Sequence, residues 1–161
     1  VILILPSYAA HDLWDRVSQI SAPAELVVLD RVPPGQDNPL ALDPTLAEAV
    51  CRLDLSDGPG QVIGPLPDAF WSISVFDTDG IAIYSTTHRA SSNNRLNLGI
   101  FNPAQTKLLS QQEISAEADL LVVESPGDDV FATIRLAPPH PQMLDRYRDI
   151  LAALECTNLV M

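Results

Sequence analysis

With 161 residues and 47% hydrophobic side chains, the chain is long enough for one domain with a real core, which argues against disorder for its body. A net charge of −12 opposes a phosphate backbone or anionic lipid headgroups as partners, so nucleic acid is not expected. The nine cations face twenty-one acids and all but Lys107 are Arg, a composition suited to fixed Arg–carboxylate pairs.

The chain starts "VILILPSY", without an initiator Met. Val1–Leu5 is far shorter than the ~20 apolar residues that span a bilayer. Residues 1–6 are read either as the remnant of an N-terminal membrane anchor or signal segment, or as a first strand. The globular body is expected over 7–161, giving a single domain over 1–161. In Ser7–Ile20, Leu13, Trp14, Val17 and Ile20 recur at helical spacing, so a short amphipathic helix with Ser7 as N-cap is predicted. Glu25–Asp30 reads as a strand. The next fourteen residues, "RVPPGQDNPLALDP", hold four prolines and predict an irregular loop. Asp43-Pro44 predicts one or two helical turns through about Ala49.

From there the pattern turns to period two. Ala49–Ser56 places Cys51, Leu53 and Leu55 on one side, the expected core side, and Val50, Arg52 and Asp54 on the other. "FWSISVFD-TDG-IAIYS" is the sharpest local signal, two alternating runs around Asp79-Gly80. A type I′ turn on that dipeptide pairs Thr78 with Ile81, Val75 with Tyr84 and Phe76 with Ile83. Trp71, Ile73, Val75 and Tyr84 then share the core face. After a polar loop, "RLNLGIF" puts Leu96, Leu98 and Ile100 on one face, and Asn102-Pro103 caps a helix through about Gln112. "ADLLVVES" and "VFATIRLAP" are strands. Pro141–Glu155, with Leu144, Tyr147, Ile150/Leu151 and Leu154 in one stripe, is an amphipathic helix with Cys156 at its end. The sum is a mainly β, α+β fold, and an antiparallel β-sandwich of jelly-roll type with N- and C-terminal helices fits it best.

Cys51 and Cys156 are the only cysteines. The residues themselves leave two readings open, buried free thiols or one disulfide of an oxidising compartment.

The motif order "AVCRLDLSDGP", "PDAFWSISVFDTDGIAIYSTTHR", "LNLGIFNPAQ" and a C-terminal helix ending in Cys156 resembles a bacterial family of unknown function, numbered DUF twelve-fifty-four. It resembles in particular the small members with one N-terminal membrane helix, over residues 10 to 160. The resemblance implies a jelly-roll-type sandwich, anchoring on the periplasmic side of the inner membrane, and a Cys51–Cys156 disulfide. It carries over no catalytic residue. His88 departs from the family's pattern, and Arg89 matches it.

No Gly-x-Ser-x-Gly elbow, P-loop, Gly-x-Gly-x-x-Gly or His-Glu-x-x-His motif is present. Asp77-Thr78-Asp79-Gly80 is a hairpin turn rather than a calcium loop, because the glycine falls too early for that pattern. His11, His88 and His140 lack metal-ligand spacing, so neither a metal nor a cofactor is expected. The polar candidates are Arg89 and His88, with Tyr84 and Arg95 beside them, in the run "YSTTHRASSNNR". Arg89 has the geometry to clamp a carboxylate; equally, Arg89 or Arg95 pairs with an acid such as Asp77 or Glu124 and pins the loop. Trp71 is expected in the core rather than in a ligand pocket. Two functions follow. The first is an anchored extracytoplasmic binding or assembly domain, not an enzyme, whose partner is another small membrane protein or a small ligand. The alternative is a hydrolase or small-ligand enzyme using the Tyr84–Arg95 loop.

Overall fold

Period-two alternation builds most of this chain, and the computed structural model describes residues 5–30, 32–38, 42–90, 93–111 and 120–160. Among the described residues nine strands form two sheets. The strands are β1 (Glu25–Val28), β2 (Ala47–Asp54), β3 (Gly60–Pro65), β4 (Trp71–Phe76), β5 (Ala82–Thr87), β6 (Arg95–Phe101), β7 (Leu121–Glu124), β8 (Asp129–Leu136) and β9 (Glu155–Asn158). One sheet has the order β1-β2-β8-β4-β5 and the other β7-β6-β3-β9. Three helices, α1 (Leu5–Ile20), α2 (Pro103–Gln111) and α3 (Leu144–Ala152), accompany them. Among the described residues no helix is long and apolar enough to cross a membrane.

Both sheets feed one buried cluster. Cys51, Leu53, Trp71, Ile73, Val75, Ala132 and Ile134 enter it from the first sheet, and Val62, Leu96, Leu98, Ile100 and Cys156 from the second. Cys51, Leu53 and Leu55 lie on the core side as their alternation predicts, and Trp71 is a core residue. Cys51 on β2 and Cys156 on β9 form a disulfide with Cα atoms 6.6 Å apart, inside the usual span. It therefore joins the two sheets covalently across the core.

Several local expectations are corrected. Helix α1 begins at Leu5, so Ser7 lies inside it and Leu5-Pro6 are helical rather than a first strand; residues 1–4 lie outside the described residues. Asp43-Pro44 opens no helix. The Asp43 carboxylate accepts from the Thr45 N–H and hydroxyl (2.8 and 2.6 Å), which closes a single turn, and the chain goes directly into β2. The C-terminal helix stops at Ala152 instead of Glu155, and β9 follows it. Cys156 is thus a strand residue opposite Val62, and the helix is not the end of the fold. The stripe of Leu144, Tyr147 and Leu151 is buried as its spacing predicts.

The hairpin turn is also one residue longer than predicted. Thr78 and Asp79 are its central residues, Gly80 adopts φ +74°, and the Asp77 N–H donates to the Ile81 carbonyl. This is a type I turn followed by a left-handed glycine, the usual three-residue hairpin loop. The Asp77 carboxylate secures it by accepting from the Asp79 and Ile81 N–H groups, 2.9 Å each. Phe76 consequently pairs with Ala82, not Ile83. A bulge between Val75 and Phe76 then restores the register, so Val75 does face Tyr84.

The second sheet contains one parallel pair, β6 with β7, connected through α2. Asn102 and Gln105 cap that helix reciprocally, each side chain accepting the other's N–H at 2.8 and 3.0 Å. Gln112 and residues 118–119 of the predicted helix and strand lie outside the described residues.

The disulfide closes a loop of 105 residues, and opening it costs about 4–5 kcal/mol in the chain-entropy model. Intact mass should rise by about 2 Da on reduction, and Cys51→Ala should lower unfolding stability by that amount. An unchanged mass, or a melting point that ignores reductant, would contradict the bridge.

Candidate functional site

The alternation of the first sheet determines what its outer face carries. Register pairs place Glu48 opposite Arg135, Val50 opposite Thr133 and Arg52 opposite Phe131 on β2 and β8, with Ser72, Ser74 and Phe76 alongside on β4. One end of this face is aromatic. Phe76 stacks on Phe131 (5.0 Å between centroids, 17° between planes), and Trp14 of α1 tilts against Phe131 at 6.0 Å. The Arg52 guanidinium lies 5.7 Å from the Trp14 ring centroid, a cation–π contact that holds the helix down. Val17 of α1 and Val50 and Phe131 beneath it are buried. The apolar stripe of α1 therefore finds its partner on this outer face.

The cover is incomplete and leaves a cavity of about 120 Å³ between α1 and the sheet. Leu13 and Val17 form its roof, Val50, Phe76 and Phe131 its floor, and Leu29 and Leu42 a side wall. Leu42 is held in place by Asn38, whose amide donates to the Leu42 carbonyl and accepts from its N–H, both at 2.9 Å. Beyond Leu29 and Leu42 lies a second hollow of about 280 Å³, lined by Ile20, Val27 and Val32.

The polar end of the cavity holds Glu48 and Arg135. Arg135 Nε lies 2.8 Å from Glu48 Oε1; the carboxylate side chain is 7% exposed and the guanidinium side chain 51%. Burial pushes the Glu48 carboxyl above its ordinary range, and the neighbouring Arg135 charge offsets this only in part. At the surface Asp43 is held below the carboxylate range by the Thr45 hydroxyl, and Asp54 by the Ser56 hydroxyl.

Of the residues singled out in the sequence, Tyr84, His88 and Arg89 lie on or just after β5, the edge strand of the same sheet, and Arg95 lies on the other sheet. Tyr84 sits on β5, half-buried against the core. His88 and Arg89 belong to a short 3-10 turn, His88–Ala90, that follows β5. The His88 ring meets Phe70 edge-on at 5.2 Å, and its Nδ1 is buried with no hydrogen-bond partner among the described residues. Arg89 is exposed and pairs with no acid among the described residues, so neither Asp77 nor Glu124 holds it. Arg95 opens β6 opposite Pro65 and is engaged in its own contacts. Residues 91 and 92 of this loop lie outside the described residues. Among the described residues no group of three His, Cys, Asp or Glu is placed to hold a metal.

No family model matches the sequence, and no curated protein does. Solved structures do. The VPA0106 protein from Vibrio parahaemolyticus is similar at TM-score 0.58 and 12% identity, over 73% of this chain and 28% of that one. An uncharacterised protein from Burkholderia cenocepacia aligns at TM-score 0.47 and 12% identity, over 84% of this chain and 38% of that one. The chain thus spans well under half the length of either, and the first likeness is one of fold.

Glu48, Arg135 and Phe131 were not singled out by motif. The signal for them was the outer row itself, where Val50, Phe76 and Phe131 are too apolar for a solvated face and Trp14 stands on a helix without another partner. The raised Glu48 carboxyl gives a pH test. Its contribution to stability is present below the ordinary value of 4.5 and is lost as pH rises through the raised folded value. Glu48→Gln should therefore gain melting temperature relative to the parent across the pH window that opens above the ordinary value of 4.5. A difference that stays flat across that window would contradict the assignment.

Proposed function

We propose that this chain is a binding domain rather than an enzyme, held on the periplasmic side of a bacterial inner membrane by an N-terminal anchor. Its two sheets are read as a jelly-roll-type sandwich, akin to the small members of the DUF twelve-fifty-four family. The compartment is supported by the Cys51–Cys156 disulfide, a bond that persists in oxidising surroundings. Anchoring and family are supported by the motif order from Ala49 to Gln105 alone.

The observation that carries the binding reading is the cleft under α1. Ligand sites are mostly apolar hollows with a few placed polar groups, and this one joins a Val17, Val50 and Phe131 lining to a single Glu48–Arg135 pair. An apolar cavity of about 150 Å³ takes up a benzene-sized molecule, so this hollow suits a small ring or a branched chain. The second reading, a small-ligand enzyme at the Tyr84–Arg95 loop, is favoured by Arg89, which is exposed and unpaired among the described residues beside His88.

Titration with benzyl alcohol, followed by two-dimensional NMR, separates the two. Shifts are expected at Leu13, Val17, Val50 and Phe131, with a Kd of about 1 mM. Shifts confined to Tyr84–Arg95 would select the second reading.

A further inference from the structure

We infer that the cleft selects a small organic cation, a protonated amine on a ring-sized or branched apolar group, over neutral or anionic molecules of the same shape. This rests on the reading of the cleft as the binding site.

The buried charge in the cavity is a carboxylate. Glu48 is 7% exposed, whereas half of its partner's side chain lies in water. A guanidinium so placed spends much of its field on solvent, and the carboxylate is left under-compensated in a poorly polarisable setting. The raised Glu48 carboxyl agrees with that balance. A carboxylate accepts about four hydrogen bonds; Arg135 Nε supplies one close donor and the Asp43 backbone N–H another, which leaves acceptor capacity for a ligand. An ammonium group entering along the apolar floor would meet Glu48 in the dry end of the cleft, where a charge-assisted hydrogen bond is strongest. The walls favour the same sign. Phe76 and Phe131, stacked on each other at 5.0 Å, line the cavity, and aromatic rings attract cations. The chain as a whole, at −12, draws cations toward it and repels anions. An anion would meet Arg135, but only at the solvated side of the pair and against the Glu48 charge.

Three probes of one shape test this on the folded full chain: benzylamine, benzyl alcohol and benzoate, titrated calorimetrically at the same pH and ionic strength. Benzylamine is expected to bind about tenfold more tightly than benzyl alcohol, with benzoate weakest. In Glu48→Gln the advantage of benzylamine over benzyl alcohol should fall to within about twofold. The ranking of the three probes on the parent protein decides alone if that variant does not fold. Equal binding of all three, or benzoate tightest, would overturn the cation assignment while leaving the cleft as a binding site. Failure of all three to bind would remove both.

Discussion

The pairing of β2 with β8 runs in unbroken register from Ala47–Leu136 to Asp54–Asp129, and its central residues are buried on both faces. Cys51, Leu53, Ala132 and Ile134 fill the core on one side, while Val50 and Phe131 need cover on the other. An antiparallel sheet usually leaves one face to solvent. Here the outer face is too apolar for that, and the exposure of a Phe side chain alone costs on the order of 2–3 kcal/mol. Helix α1 supplies the cover through Trp14 and Val17, aided by the Arg52 contact with Trp14. The disulfide acts on the opposite face of the same strand, tying β2 to β9. Strand β2 is thereby clamped between a covalent link on its core side and a packed helix on its outer side.

The cleft follows from the mismatch between that helix and the face beneath it. A single stripe covers the Val50–Phe131 rows but not the Glu48–Arg135 row, where the sheet changes from aromatic to polar. The ion pair at that boundary satisfies β2 and β8 across one register step. It does so unevenly, because one partner is buried and the other half-solvated. Buried pairs of this kind contribute little net stability after desolvation. Their consequence lies in local chemistry, a dry carboxylate at the end of an apolar hollow.

Much of this was legible in the chain. Alternation in "AVCRLDLS" and "FWSISVFD" placed Cys51, Leu53, Trp71 and Val75 in the core, because period two leaves an inward residue little choice. Asn102-Pro103 advertised a helix start through local capping chemistry, and the structure adds Gln105 to the cap. Boundaries were less legible where tertiary pairing overrode local preference. Pro44 suits a first helical turn, yet β2 claims Ala47 onward, and Glu155–Asn158 joins β3 instead of extending α3. The hairpin shows both sides. Asp79-Gly80 located the turn, while the Asp77 carboxylate selected its type and a bulge restored the Val75–Tyr84 pair. The Tyr84–Arg95 loop drew notice for its charge, a signal that is legible residue by residue. The cleft escaped notice because it depends on α1 crossing strands remote from it in sequence.

Intermolecular NOEs from a bound aromatic probe to the protein's methyl and ring protons test the account most directly. Contacts from one probe to Leu13 and Val17 above and to Val50 and Phe131 below, observed together, are the expected result. Contacts to the ring protons of Phe70 and His88, with none to Val17 or Val50, would contradict it.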